Sequence, residues 1–218
     1  MFIAHFGVGF GAKKFVPSVS LGTLFLAAQF IDLLWPSLLM LDLEQVRIQP
    51  GATAVTPLLF EHYPISHSLL AVIGWGALLA TAHIWLKQNV RDALILGALV
   101  VSHWLLDVLV HRPDLPLMPG GETLLGLHGW SSLPLTLALE GSLFALGVWL
   151  YASATSALDA KGRWGFYALV AFLALIYAGN LFGEPPPNVQ VLAWAGQAQW
   201  LLVLWGYWLD GHRHAVTR

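Results

Sequence analysis

"SHWLLDVLVHRPDLP", residues 102–116, is apolar enough for a membrane helix yet carries His103, Asp107 and His111 four residues apart. On a helix, positions four apart lie one above another on one face. The three side chains therefore form a polar stripe on an otherwise greasy rod. Ionisable groups at such depth are costly and usually face a bundle interior or a watery cavity. The stretch predicts a membrane helix with a functional face.

The rest of the chain agrees with a membrane setting. Of 218 residues, 57% are hydrophobic and 10% charged, against about 25% charged in a typical soluble domain. Too few charges remain to clothe a water-facing surface. A net charge of −2 argues against a nucleic-acid partner. With no cysteine there is no disulfide, thiolate metal site or cysteine nucleophile.

A span needs about 20 apolar residues. Six runs qualify: 18–41, 65–86, 92–111, 133–153, 164–183 and 190–209. The expected fold is all-α, a polytopic membrane helical bundle of about six transmembrane helices forming one domain, 1–218. Within it, 1–16 is an amphipathic or re-entrant segment, 17–120 the metal-site half, and 121–218 supporting helices. The start, "MFIAHFGVGFGAKKFVP", has its lysines after the apolar run, unlike a secretory signal, and is read as retained. Residues 1–12 are too short to cross; they lie at the interface or dip in as a half-helix, with Gly7, Gly9 and Gly11 allowing close packing.

Basic residues orient the bundle. Lys13, Lys14, Lys87, Arg91, Lys161, Arg163, Arg213 and Arg218 fall on one side, and Arg47 and Arg112 on the other. The positive-inside rule places both termini in the cytoplasm and the two long loops outside.

The polar groups within spans are Asp32, His67, His83, His103, Asp107, His111 and Glu140, with His5 in the N-terminal segment. At 1.5 Å per residue, His103 lies about 18 Å above the inner boundary, Asp107 about 24 Å, Asp32 roughly 22 Å, His67 near 25 Å and Glu140 near 18 Å. His5 reaches about 12–15 Å if its segment dips inward. Most share one slab in the outer half, while His83 falls near the inner boundary. Imidazole and carboxylate without sulfur suit Zn²⁺ or Mn²⁺, with Fe and Ni as alternatives. A bound divalent ion would offset the cost of burying the carboxylates and lower the pKa of a bound water. Blander readings stand beside this one. "PISHS" (64–68) reads as a plain helix start with Ser66 as its cap and His67 facing headgroups. His103 and Asp107 read as a pair locking two helices, and Glu140 as a partner for a histidine.

At "EHYPISHSLL" (61–70) and "SHWLLDVLVH" (102–111) the chain resembles the bacterial inner-membrane metal-dependent hydrolases, also described as LexA-binding, inner-membrane-associated hydrolases. Their pattern includes an N-terminal histidine, an aspartate motif in or after the first span, a "HRGxTHSL"-like segment and "SHxxxDxxT". The match covers roughly residues 1–120. It implies metal ligands at His5, Asp32, His62, His67, His103 and Asp107. The family's double aspartate followed by histidine is reduced here to Asp32 in "FIDLLWP", and Tyr63 replaces the arginine after the first paired histidine.

Three functions follow as expectations. The first is a hydrolase of the bacterial inner membrane, with Glu140 or His111 as acid or base. It would act on a lipid-like or phosphoester substrate near the periplasmic leaflet, with membrane lipids as neighbours. The second is a proton- or metal-coupled transporter using the same cluster. The third is a non-catalytic scaffold in which the polar pairs only hold helices together.

Overall fold

A computed structural model describes residues 1–216; of the basic residues used for orientation, Arg218 lies outside them. The helices are α1 (Ile3–Ala12), α2 (Leu21–Ala28), α3 (Phe30–Met40), α4 (Leu69–Lys87), α5 (Val90–Val110), α6 (Leu133–Ala154), α7 (Ala160–Phe182), α8 (Val189–Gln197) and α9 (Gln199–Asp210). Most start at a Ser, Asn or Asp whose side chain accepts from the amide three residues on: Ser20, Ser68, Asn89, Ser132, Asp159 and Asn188. Such caps satisfy amides that the helix itself leaves unpaired.

The structure is mostly helical, with four single helices long and apolar enough to cross a membrane: α4, α5, α6 and α7. A fifth span exists if α2 and α3 count as one, but they meet at 58°. The structure differs from the expected six or so transmembrane helices at two places. Residues 18–41 are apolar throughout, yet the helix breaks at Gln29, and Pro36 further removes a backbone donor from α3. Residues 190–209 break at Ala198 into helices of nine and twelve residues. Hydropathy registers neither break.

The all-α expectation is also incomplete. Antiparallel two-stranded ribbons occupy the connections: β1 (Gln45–Ile48) with β2 (Leu58–His62), β3 (Leu115–Pro116) with β4 (Leu124–Leu125), and β5 (Thr155–Ala157) with β6 (Arg213–Ala215). The last of these ties the ends of α6 and α9 together.

α1 is the centre of the molecule. Nine of its ten residues are buried, which overturns an amphipathic helix at the interface. Ten residues span only about 15 Å, too short to cross a hydrocarbon core of about 30 Å. Gly7 and Gly147 make this position attainable: a Cβ on Gly147 would lie 1.8 Å from the Gly7 carbonyl oxygen, so only backbones that approach bare can pack here. Below its midpoint Phe10 meets Phe25 edge-on at 4.8 Å and Tyr151 at 5.2 Å, closing an aromatic plug.

At the end beyond the plug the basic residues collect. Lys13 donates to the Val19 carbonyl (2.7 Å) and pairs with Asp210 (3.3 Å), and Arg91 donates to the Phe15 carbonyl. Asp210 also accepts the Leu21 amide. At the other end the β1–β2 ribbon and the 111–132 connection form a cap, joined by the Ala54 amide donating to the Trp130 carbonyl.

Candidate metal centre

The buried positions of α5 run Asp92, Ala93, Leu96, Leu99, Val100, His103, Trp104, Asp107 and Val110, steps of three and four. The polar stripe of the opening stretch thus lies on the buried face, and the lipid-facing side stays apolar. This answers why such residues are tolerated in a span.

Around that stripe four donor atoms converge. Asp32 Oδ1 comes from α3, just past the 58° break, and His67 Nε2 from the turn before α4. His103 Nε2 and Asp107 Oδ2 come from α5. Asp32 lies 3.6 Å from both His67 and His103, and Asp107 lies 3.3 Å from His103 and 3.9 Å from His67. Four ligands about 2.05 Å from a tetrahedral ion sit roughly 3.3 Å apart. Asp32, His67 and His103 bring one donor atom each within 4.8 Å of one another, a group that could hold an ion, and Asp107 Oδ2 stands beside it 3.3 Å from His103.

His5 belongs to a neighbouring group with His103 and Asp107. Its Nε2 lies 3.2 Å from Asp107 Oδ1, and its ring stacks on His103 at 3.6 Å. The amine of Met1 pairs with the same Oδ1. Asp107 therefore turns one oxygen to His5 and Met1 and the other to the quartet. His103 Nε2 belongs to both groups, and one lone pair serves one ion, so the two groups cannot each fill with an ion of their own.

Supporting contacts aim the imidazoles. His103 Nδ1 lies 2.8 Å from the Ala28 carbonyl, which becomes available at the break between α2 and α3. That bond places the proton on Nδ1 and the lone pair on Nε2. His103 Nε2 is then fully buried, without a hydrogen-bond partner, facing two carboxylates. Two carboxylates facing that nitrogen are balanced either by a cation standing among them or by a second proton on the ring. His67 Nδ1 donates to Ser66 Oγ (2.7 Å), which donates to Glu44 (2.5 Å), a buried carboxylate that also accepts the Ile65 and Ser66 amides. Trp104 Nε1 holds the His67 carbonyl at 2.8 Å. The plain-helix reading of "PISHS" fails here: Ser68 is the cap, Ser66 belongs to this relay, and His67 points inward.

The quartet opens on one side. The Asp32 side chain is 19% exposed, against 3% or less for the other three. It faces a cavity of about 760 Å³ that also touches His67, Asp107, His111 and Glu140.

The other expected site residues fall in different places. His62 ends β2, exposed, and is in neither donor group. Glu140 Oε2 accepts the amides of Phe2 (2.8 Å) and Ile3 (3.1 Å), so its visible work is to anchor the start of α1. His111 is buried one turn beyond Asp107, with Nδ1 2.9 Å from Asp114, which also accepts the Tyr63 hydroxyl at 2.9 Å. Trp130 and Phe60 flank its ring at 4.3 and 4.8 Å. Burial holds the His111 pKa below the ordinary 6.5, although Asp114 pulls it upward.

Glu44 and the Ala28 carbonyl were not singled out from sequence, and Ser66 was read only as a helix cap. Ser66 had a faint signal in its neighbour His67; Glu44 had none, because it lies 22 residues from the serine it holds.

Compared with family models, curated proteins and solved structures, the chain matches none of them.

Proposed function

We propose that this chain is a membrane-embedded, divalent-metal-dependent hydrolase acting on a lipid-like or phosphoester substrate. Asp32, His67, His103 and Asp107 hold the ion, with Zn²⁺ first among candidates and Mn²⁺, Fe or Ni as alternatives. The observation that carries this reading is the buried, unpartnered Nε2 of His103, directed at two carboxylates at coordination spacing. The resemblance of the "SHSLL" and "SHWLLD" segments to inner-membrane metal-dependent hydrolases supports it.

A cation there supplies what the buried carboxylates lack, since unpaired ions cost several kcal/mol each in a dry interior. It also acidifies a water on the open side beside Asp32. His111, neutral and oriented by Asp114, is the residue placed to carry a proton at the cavity wall. His5 and the Met1 amine keep Asp107 turned toward the quartet, and Glu140 holds the start of α1 in position. We place the basic end in the cytoplasm of a bacterial inner membrane and the centre toward the periplasmic leaflet, following the eight-to-two charge split.

A transporter needs polar groups at successive depths, and the Phe10 plug against Phe25 and Tyr151 disfavours a path to the basic end. A scaffold does not need the Glu44–Ser66–His67 relay.

The test uses purified protein stripped with a chelator and assayed on ester and phosphoester probes. Turnover that vanishes on stripping, returns with Zn²⁺ or Mn²⁺, and stays absent in His103→Ala is expected. Turnover indifferent to chelation, or no turnover in metal-loaded protein, contradicts the proposal.

A further inference from the structure

The cavity beside the quartet has two chemically different kinds of lining: the polar Asp32, His67, Asp107 and His111, and the apolar Phe172, Ile176, Leu192, Leu202 and Trp205. We propose, building on the metal-hydrolase reading, that this cavity binds a single-chain amphiphile with an uncharged carboxylic ester head. In this arrangement the ester lies at the quartet, the hydrocarbon chain lies along the outer third of α7, and access is sideways from the bilayer.

Access follows from how α7 is buried. Its inward positions run Gly162, Phe166, Leu169 and Leu173, then stop. Beyond them Ile176 and Tyr177 are half-buried and line the cavity, as do the exposed Gly179 and Asn180. The void thus reaches the flank of a helix whose neighbouring Leu175 and Phe182 are about 70% exposed. A passage bounded by lipid-facing side chains admits molecules already in the membrane.

Length and volume set the tail. From Phe172 to Gly183 the wall runs about 16 Å at 1.5 Å per residue, close to half of a roughly 30 Å hydrocarbon core. A volume of about 760 Å³ falls in the range of roughly 300–1,000 Å³ that holds one modest ligand. That is room for one chain and a small head.

Charge sets the head. Four carboxylates touch the cavity: Asp32, Asp107, Glu140 and Glu184. Among the described residues no Lys or Arg side chain does; the one cationic group is the Met1 amine, already paired with Asp107. A divalent ion and that amine do not outweigh the acids, so a phosphate head finds no surplus positive charge. An ester needs none. In the reaction the water oxygen bonds to the carbonyl carbon and the ester C–O bond breaks. One water proton ends on the departing alkoxide, giving a carboxylic acid and an alcohol.

The test takes full-length, zinc-loaded protein in lipid nanodiscs with p-nitrophenyl acetate, p-nitrophenyl dodecanoate and p-nitrophenyl phosphate. A kcat/KM for dodecanoate at least tenfold above acetate is expected, with phosphate slowest. Ile176→Trp, which fills the tail end, should erase the chain-length preference while bound zinc stays at the wild-type level. Equal rates on acetate and dodecanoate, or an unchanged preference in Ile176→Trp, overturns the tail assignment and leaves the metal-hydrolase reading standing. Faster turnover of the phosphate overturns the neutral head alone. No turnover of any probe by zinc-loaded protein removes both. The wild-type comparison across the three probes decides even if Ile176→Trp does not fold.

Discussion

Two seams of the bundle are built on opposite terms. Where α1 meets α6, Gly7 and Gly147 let backbones touch, and no space remains for even a methyl group. Where the outer third of α7 faces α8 and α9, large side chains stand apart around a cavity of about 760 Å³. The first seam fixes His5 and the Met1 amine behind Asp107; the second leaves the open side of Asp32 reachable. On the proposed metal-hydrolase reading, ligands have to be held within fractions of an ångström, whereas a substrate has to come and go. One small bundle meets both demands by packing one flank without gaps and leaving the other loose.

Breaking the tight seam should have the largest effect. Gly147→Leu places a side chain where the Gly7 carbonyl already lies, so the cost should exceed the roughly 1–3 kcal/mol of ordinary overpacking. At roughly 2–4 °C per kcal/mol for a chain of this size, the thermal midpoint should fall by several degrees and bound metal should be lost with it. The contrasting change on the loose seam, Ile176→Ala at the cavity wall of α7, should cost less and leave bound metal unchanged. Equal losses in thermal unfolding scans of the two variants would erase the distinction between the seams.

A smaller effect should come from the relay behind His67. Both variants leave every proposed ligand in place, but Ser66→Ala removes the acceptor that orients His67 Nδ1 and Glu44→Gln weakens the charged anchor that fixes that serine. Outer-shell losses of this kind weaken metal binding about 10- to 100-fold. Calorimetric zinc titration should show that drop in Ser66→Ala and a smaller one in Glu44→Gln, with no further drop in the double variant because Glu44 acts through Ser66. Additive losses would mean that Glu44 works through the Ile65 and Ser66 amides instead.

The smallest effect concerns His111 at the cavity wall. Its folded pKa lies below the ordinary 6.5 because burial disfavours the charged ring. The unfolded chain therefore takes up a proton first, so the stability from burying neutral His111 is complete above about pH 6.5 and drains away as pH falls. Melting scans from pH 7.5 to 5 should show a decline of a few degrees that is shallower in His111→Gln. Parallel curves would exclude His111 as the titrating group.

Much of the site was legible because the expensive residues announce themselves. Histidine and aspartate four apart in an apolar run demand an interior face, and depth put Asp32, His67, His103, Asp107 and Glu140 in one slab, with His5 near it if its segment dips inward. What could not be read was anything set by distant contacts. The bend at Gln29 hides in an unbroken apolar run, yet it turns the Ala28 carbonyl toward His103. Glu140 looked like an acid awaiting a histidine, but the half-helix α1 brings its own amides there first. His62 matches a motif histidine by spacing, and the β2 strand carries it to the surface. Glu44 sits in an ordinary "LDLE" and matters only through the fold.

The central claim is that His103, Asp107, Asp32 and His67 surround one divalent ion, and elemental analysis of purified protein beside His103→Ala tests it most directly. The account predicts close to one ion per wild-type chain, as expected of a site whose ligands are already assembled by the fold, and almost none in the variant. Wild-type protein that stays metal-free after equilibration with Zn²⁺, Mn²⁺, Fe²⁺ and Ni²⁺, or a variant that holds as much metal as the parent, would contradict it.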